Sequence, residues 1–220
     1  MVLSGLAPED AGMAWAVYKL GKLYQNQGKL VEAEQMYQRA LQGFEKAWGL
    51  EHMLTLTIVN NLGCLYKDQG KLVEAEQMFQ RALQGKEKVW GLEHTSTLTT
   101  VNNLGCLYAD QGKLVEAEQI YQRALQGYEK ALSADGTSTS LPALNTFWGL
   151  GFLFELQGDL AQAKIMYSRA LEGYKKVVGP DHPKSRSLRD NLQALDTTID
   201  EENTEDKEGL VNNPRGERSH

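Results

Sequence analysis

The feature that constrains this chain most is that it copies itself. Leu56 to Thr97 realigns on Leu98 to Thr139 without a gap, at a period of 42 residues. The two copies share LT-VNNLGCLY-DQGKLVEAEQ--QRALQG-EK, about three-quarters of their positions. An upstream copy keeps Gly28, Ala33, Arg39 and Ala40, each 42 positions before Gly70, Ala75, Arg81 and Ala82. A further copy keeps Gly158, Ala163, Arg169 and Ala170, arriving four residues late. The extra length falls in the Ser/Thr/Gly stretch from Ser133 to Ser140, which reads as a loop that absorbs it at little entropic cost. A period of this length marks stacked supersecondary units, none of which can bury its apolar face alone.

Within one copy the apolar residues fall at helical spacing in two sets. Val59, Leu62, Leu65 and Tyr66 form the first; Leu72, Ala75, Met78, Phe79, Ala82 and Leu83 form the second, beyond a break at Gln69-Gly70-Lys71. The expected unit is therefore a helical hairpin. Gly70 suits the left-handed conformation that ends a helix, and Gly91-Leu92-Glu93-His94 separates one hairpin from the next. Small residues, Gly63, Ala75 and Ala82, let helices approach, while Tyr66 and Phe79 fill the space between.

These residues resemble the tetratricopeptide repeat, whose order of Leu, Gly, Tyr, then Ala, Phe, Ala is met by Leu62, Gly63, Tyr66, Ala75, Phe79 and Ala82. Leu20, Gly21, Tyr24, Ala33, Tyr37 and Ala40 fill the first copy. Leu104, Gly105, Tyr108, Ala117, Tyr121 and Ala124 fill the third, and Leu150, Gly151, Phe154, Ala163, Tyr167 and Ala170 the fourth. The period exceeds the roughly 34 residues of the common form, and Glu87 stands where a proline usually follows the second helix. Both departures resemble the kinesin light chain type, with its G-x-D-H-P linker written here as Gly179-Pro180-Asp181-His182-Pro183. The near-identical middle copies are also similar to the repeat arrays of fungal nucleotide-binding receptor proteins. The resemblance implies an all-α, right-handed superhelix, an α-solenoid of four helical hairpins plus a C-terminal capping helix. No heptad segment like that of kinesin light chains precedes Ala7, and no phosphate-binding G-x-x-x-x-G-K-[ST] loop occurs.

The expected organisation is an N-terminal lead over 1–6 and a repeat array over 7–198, with copies at about 14–55, 56–97, 98–143 and 144–185 and a cap over 185–198. An acidic disordered tail is expected over 199–220. In the cap, Asp190-Asn191-Leu192 aligns with Asn60-Asn61-Leu62, but Gln193 and Asp196 replace the glycine and the tyrosine: half a repeat, made polar. At the other end nothing caps the apolar side chains around Met13, Ala14, Val17 and Tyr18. Self-association, upstream sequence of a longer parent protein, or Val2, Leu3 and Leu6 folding back are the alternatives there.

Stacked hairpins leave an inner groove lined by first helices, so residues facing away from Leu62 and Tyr66 are candidate contacts. The peptide-binding candidates are Asn60, Asn61, Lys67, Asn102, Asn103, Asn145, Trp148 and Phe152. Asparagine both donates and accepts, so a ladder of Asn61 and Asn103 suits the backbone of an extended peptide, with Trp148 and Phe152 as anchors for an apolar side chain. Two plainer readings stand beside this. The repeated asparagines are copies left by duplication or bond the adjacent hairpin, and Trp148 and Phe152 cover the gap at Gly149 and the longer loop. The carboxylate clamp of chaperone-tail binders is matched only at its central asparagine, so a free C-terminal carboxylate is not the expected ligand.

Charge and chemistry narrow the function further. Of the formal −6, all is accounted for near the C-terminus, where Asp196, Asp200, Glu201, Glu202, Glu205, Asp206 and Glu208 face only Lys207. A near-neutral body argues against nucleic acid and anionic membranes as partners. Cys64 and Cys106 occupy equivalent places in adjacent repeats, where axes about 8 to 10 Å apart exceed disulfide reach. Free thiols in a reducing compartment, the cytoplasm, are expected. His52, His94 and His182 each precede a new hairpin and do not converge, so no metal and no cofactor is expected. The function expected is a non-catalytic scaffold or adaptor that binds an extended peptide or helix of another protein. The alternative is a self-associating regulatory or assembly module, with a homo-oligomer formed through the uncapped first repeat.

Overall fold

In a computed structural model that describes residues 8–211, every regular element among the described residues is an α-helix. Chain contacts divide the protein into two units, Met1–Thr137 and Ser138–His220. The first holds three hairpins: α1 (Pro8–Asn26) with α2 (Leu30–Trp48), α3 (Met53–Asp68) with α4 (Leu72–Trp90), and α5 (Thr95–Asp110) with α6 (Leu114–Ala131). A short α7 (Ala134–Thr139) follows, and the second unit pairs α8 (Leu141–Gln157) with α9 (Leu160–Val178), on which α10 (Pro183–Val211) packs.

Two crossed contacts build the hairpin of α3 and α4. A Cβ added to Gly63 of α3 would lie 2.7 Å from the Phe79 ring of α4, and one added to Gly85 of α4 would lie 2.5 Å from Leu56 of α3. Each helix thus carries one bare backbone site that receives a large side chain of its partner. The pattern recurs, with Gly105 against Tyr121, Gly127 against Leu98, and Gly151 against Tyr167. Tyr37, Phe79, Tyr121 and Tyr167 are wholly buried or nearly so, as are the flanking alanines Ala75, Ala82, Ala117 and Ala124.

Glycine closes both kinds of turn. Gly70 sits at φ +75°, and its turn is tied by Lys71 N donating to Tyr66 O at 2.8 Å. Between hairpins Gly91 sits at φ +85°. The next helix is then capped by a histidine: Nδ1 of His52 accepts from Leu54 N at 3.3 Å, His94 from Ser96 N at 3.2 Å and His182 from Lys184 N at 3.2 Å. The linker histidines of the sequence are thus N-caps.

Two expectations need correction. The stretch from Ser133 to Ser140 is not all loop, since α7 occupies Ala134–Thr139, with Thr137 N donating to Ser133 O at 2.8 Å. The last helix does not stop near Thr198 but continues to Val211. Its inner side is held by Leu188 and Leu195, both buried, and by Ser185 donating to Gly179 O at 2.8 Å. Beyond that the four glutamates between Glu201 and Glu208 have helix propensity enough to prolong an existing helix; low apolar content removes packing, not backbone hydrogen bonding. The expected lead over 1–6, with Val2, Leu3 and Leu6, lies outside the described residues, as does the tail from 212 on.

Candidate protein-interaction face

Within the first unit, side chains tie like helices to like. Gln25 of α1 donates to Asp68 of α3 at 3.0 Å, and Lys67 of α3 donates to Asp110 of α5 at 3.0 Å. The second helices form their own row, with Arg81 paired to Glu45, Arg123 to Glu87, and Lys71 to Glu34 at 2.8 Å. The row of first helices is where the candidate contacts lie.

Of the asparagines, Asn60 and Asn102 are only 7% exposed. Asn60 Oδ1 accepts from Thr100 Oγ1 at 3.0 Å and from Asn103 Nδ2 at 3.1 Å, both on the following hairpin. Asn103 Nδ2 also reaches Cys64 Sγ at 3.6 Å. Asn61 Nδ2 donates to Tyr18 OH, on the preceding hairpin, at 2.9 Å. The ladder therefore runs from hairpin to hairpin inside the array, as the plainer reading had it, and Asn61 and Asn103 remain half-buried. Lys67 is spent on Asp110.

In the second unit Asn145 accepts from Tyr174 OH and, at 3.0 Å, from Lys184 Nζ. Burial pushes the Tyr174 phenol up to about 12 and draws the Lys184 ammonium down. Trp148 meets the Tyr174 ring edge-on at a centroid distance of 6.3 Å, whereas Phe152 is 44% exposed. Of the two aromatic candidates, Trp148 is half-buried against Tyr174 and Phe152 faces out.

Three features escaped the sequence reading. The histidine caps are the first. The second is a small apolar cleft of about 70 Å³ between α1, α2 and α3, lined by Trp15, Tyr18, Phe44, Leu54, Thr57 and Ile58. The third is Lys86, only 3% exposed, in the place held by Phe44 and Tyr128 one period either side. Its Nζ donates to Thr100 Oγ1 at 2.8 Å and to Ser96 O at 3.1 Å. No carboxylate pairs with it among the described residues, and burial pushes its ammonium down to about 8. The signal was available: Phe, Lys and Tyr at one repeat position is a break in chemistry within otherwise copied helices.

Cys64 and Cys106 are free thiols, and burial pushes the Cys64 thiol up to about 12 and raises that of Cys106 as well. Among the described residues no helix is long and apolar enough to cross a membrane.

Two models of the tetratricopeptide repeat match the chain, one over residues 12–88 and the other over 97–136 and 149–184. The chain is a tetratricopeptide repeat protein. Among solved structures, BtubC (BKLC) from P. vanneervenii is similar to this repeat protein with a TM-score of 0.64 at 20% identity, covering 96% of this chain and 86% of that one. The nearly identical TPR-like repeats assigned to a kinesin light chain of Podosopora anserina give a TM-score of 0.67 at 19% identity, over 91% and 93% of the two chains. A single-residue variant of those repeats gives 0.68 at 19% identity, over 91% and 92%. The repeats thus have the fold of the kinesin light chain type. No curated protein matches the sequence.

Proposed function

We propose that this tetratricopeptide repeat protein is a non-catalytic scaffold or adaptor that holds an extended peptide or helix of another protein along its first helices. Repeats of this family serve protein–protein interaction, and the reading adds where. The supporting observation is the state of Asn61 and Asn103. Each commits its amide nitrogen to the preceding hairpin, and among the described residues its carbonyl oxygen takes no hydrogen bond. Two such oxygens, fixed one repeat apart on rigid helices, are acceptors ready for the N–H groups of a bound backbone. Trp15, 41% exposed, and Phe152 supply apolar contact on the same row of helices in their respective units. Asn60, Lys67 and Asn145, hydrogen-bonded inside the fold, and Asn102, buried with its Oδ1 unpartnered, are not direct contacts in this reading. The free thiols fit a reducing compartment, and we place the chain in the cytoplasm.

The test uses extended peptides selected from a random display library on the immobilised chain, with affinity read by fluorescence anisotropy. Asn61→Ala with Asn103→Ala is expected to weaken binding by roughly tenfold or more, since two hydrogen bonds of about 1 kcal/mol each are lost. Unchanged affinity for every selected peptide, with helicity retained, would overturn the reading.

A second reading, self-association, is favoured by one observation. Met13, Leu20 and Leu23 of α1 are 60%, 38% and 51% exposed, while Thr55, Leu62 and Leu65, one period later, are 0 to 2% exposed. In α3 that face is covered by α2; in α1 no described element packs on it. Light scattering across a concentration series checks it: a mass that stays at one chain throughout rules it out.

A further inference from the structure

The copied helices differ at very few positions, and those positions meet. Between α2 and α4 the sequence changes only at Tyr37/Phe79, Phe44/Lys86 and Ala47/Val89. Between α3 and α5 it changes only at Met53/Thr95, Leu54/Ser96, Ile58/Thr100 and Lys67/Ala109. Phe44 packs in one apolar cluster with Ile58 and Leu54. Lys86, its counterpart, is bonded to the Thr100 hydroxyl and the Ser96 carbonyl, the counterparts of Ile58 and Leu54. Two junctions with almost the same backbone contacts therefore carry opposite chemistry, apolar where α2 meets α3 and polar where α4 meets α5.

We infer that Lys86 with Thr100, set against Phe44 with Leu54 and Ile58, is a pairing code that fixes which hairpin docks on which. An array of near-identical repeats has an ambiguity that ordinary domains lack: α4 fits almost any copy of α3 or α5, in its own chain or in another. With the code in place, α4 docked on an α3 of another copy sets the Lys86 ammonium against Leu54 and Ile58 and loses the Thr100 hydroxyl, leaving a buried cation with one acceptor fewer. In the converse error, α2 docked on α5 sets Phe44 over the Thr100 hydroxyl. Thr100 is also the donor to Asn60, so the correct pairing joins Lys86, Thr100, Asn60 and Asn103 in one connected network across the junction. Both wrong pairings break that network. A buried polar group that sets register at a cost in stability is an established use of such groups.

The experiment is refolding of the full chain from urea over a range of concentrations, with mass read by light scattering after size exclusion and compared with the native wild-type value. Lys86→Phe with Ser96→Leu and Thr100→Ile makes the second junction a copy of the first. That variant is expected to return several-fold more material above the native mass than wild type, rising with concentration. Adding Phe44→Lys, Leu54→Ser and Ile58→Thr exchanges the two chemistries, makes the junctions differ again, and is expected to restore refolding to the native mass. Should the first variant not refold at all, Lys86→Tyr, which borrows the side chain of Tyr128 and replaces the ammonium by a neutral ring that the neighbouring repeat accommodates, must still raise the fraction above native mass. If the copied-junction variant or Lys86→Tyr refolds to the native mass as cleanly as wild type at every concentration, the pairing code is overturned. Failure of the exchanged variant to improve on the copied one overturns it equally.

Discussion

The junction of α2 with α3 and the junction of α4 with α5 have the same backbone and opposite interiors. The first is a continuation of the core, with Phe44 and Ile58 buried and Trp48 stacked on Phe44 at 4.9 Å. The second buries an ammonium group with a hydroxyl and a carbonyl for company. Stacking therefore does not require an apolar junction at this position; it requires that whatever enters finds its complement. A buried cation held only by neutral acceptors contributes less to stability than hydrocarbon of similar volume, so the second junction is the weaker of the two.

The comparison can be broken most violently by moving the cation to the wrong side. Phe44→Lys, with no hydroxyl at Ile58, should cost about 3 to 5 kcal/mol in urea denaturation, through a lost ring and an unpaired buried charge. Adding Ile58→Thr should return part of that. A second effect is the pH dependence that Lys86 contributes at the α4–α5 junction. The unfolded chain holds the Lys86 proton up to the ordinary lysine value near 10.5, while the folded chain releases it near 8. Between those limits the unfolded state binds more protons at Lys86, so the contribution of this group to stability rises with pH; below about 8 the full cost of burying the ammonium is present and its slope vanishes. The gain across that window is on the order of 3 kcal/mol. It should appear as the difference in pH slope between wild type and Lys86→Met, because the raised thiols and phenols are common to both and cancel. Thr100→Val removes one of the two acceptors of Lys86 and the donor to Asn60, for an expected loss of about 1 to 3 kcal/mol by chemical denaturation. The smallest effect belongs to Asn103→Ala, about 1 kcal/mol, because Asn60 keeps its bond from Thr100.

Much of the fold was legible because the repeat carries it. The period, the two apolar sets and the glycines at Gly70 and Gly91 specify hairpins, and the aromatic-on-glycine packing at Gly63 follows from the same residues. The site was less legible. Residues on α3 that point away from Leu62 face both the open side and the next hairpin, and helical periodicity does not separate the two. Asn60 is buried against the following hairpin, whereas Asn61 is half-buried and bonded to the preceding one, one residue and about 100° of rotation apart. The histidines were recognised as linker residues, but their role depends on a backbone N–H two residues on, which no spacing rule for metal sites would raise. The long α10 was missed because low apolar content says that a helix has nothing to pack on, not that its backbone cannot remain helical.

A double-mutant cycle on Lys86→Phe and Thr100→Ile, measured by urea denaturation at pH 7, tests most directly the claim that the junctions are set by matched chemistry. Matched chemistry predicts that the double variant is more stable than the sum of the single effects by about 1 to 3 kcal/mol, because each single change leaves the other partner mismatched. Single effects that add to within about 0.5 kcal/mol would contradict it.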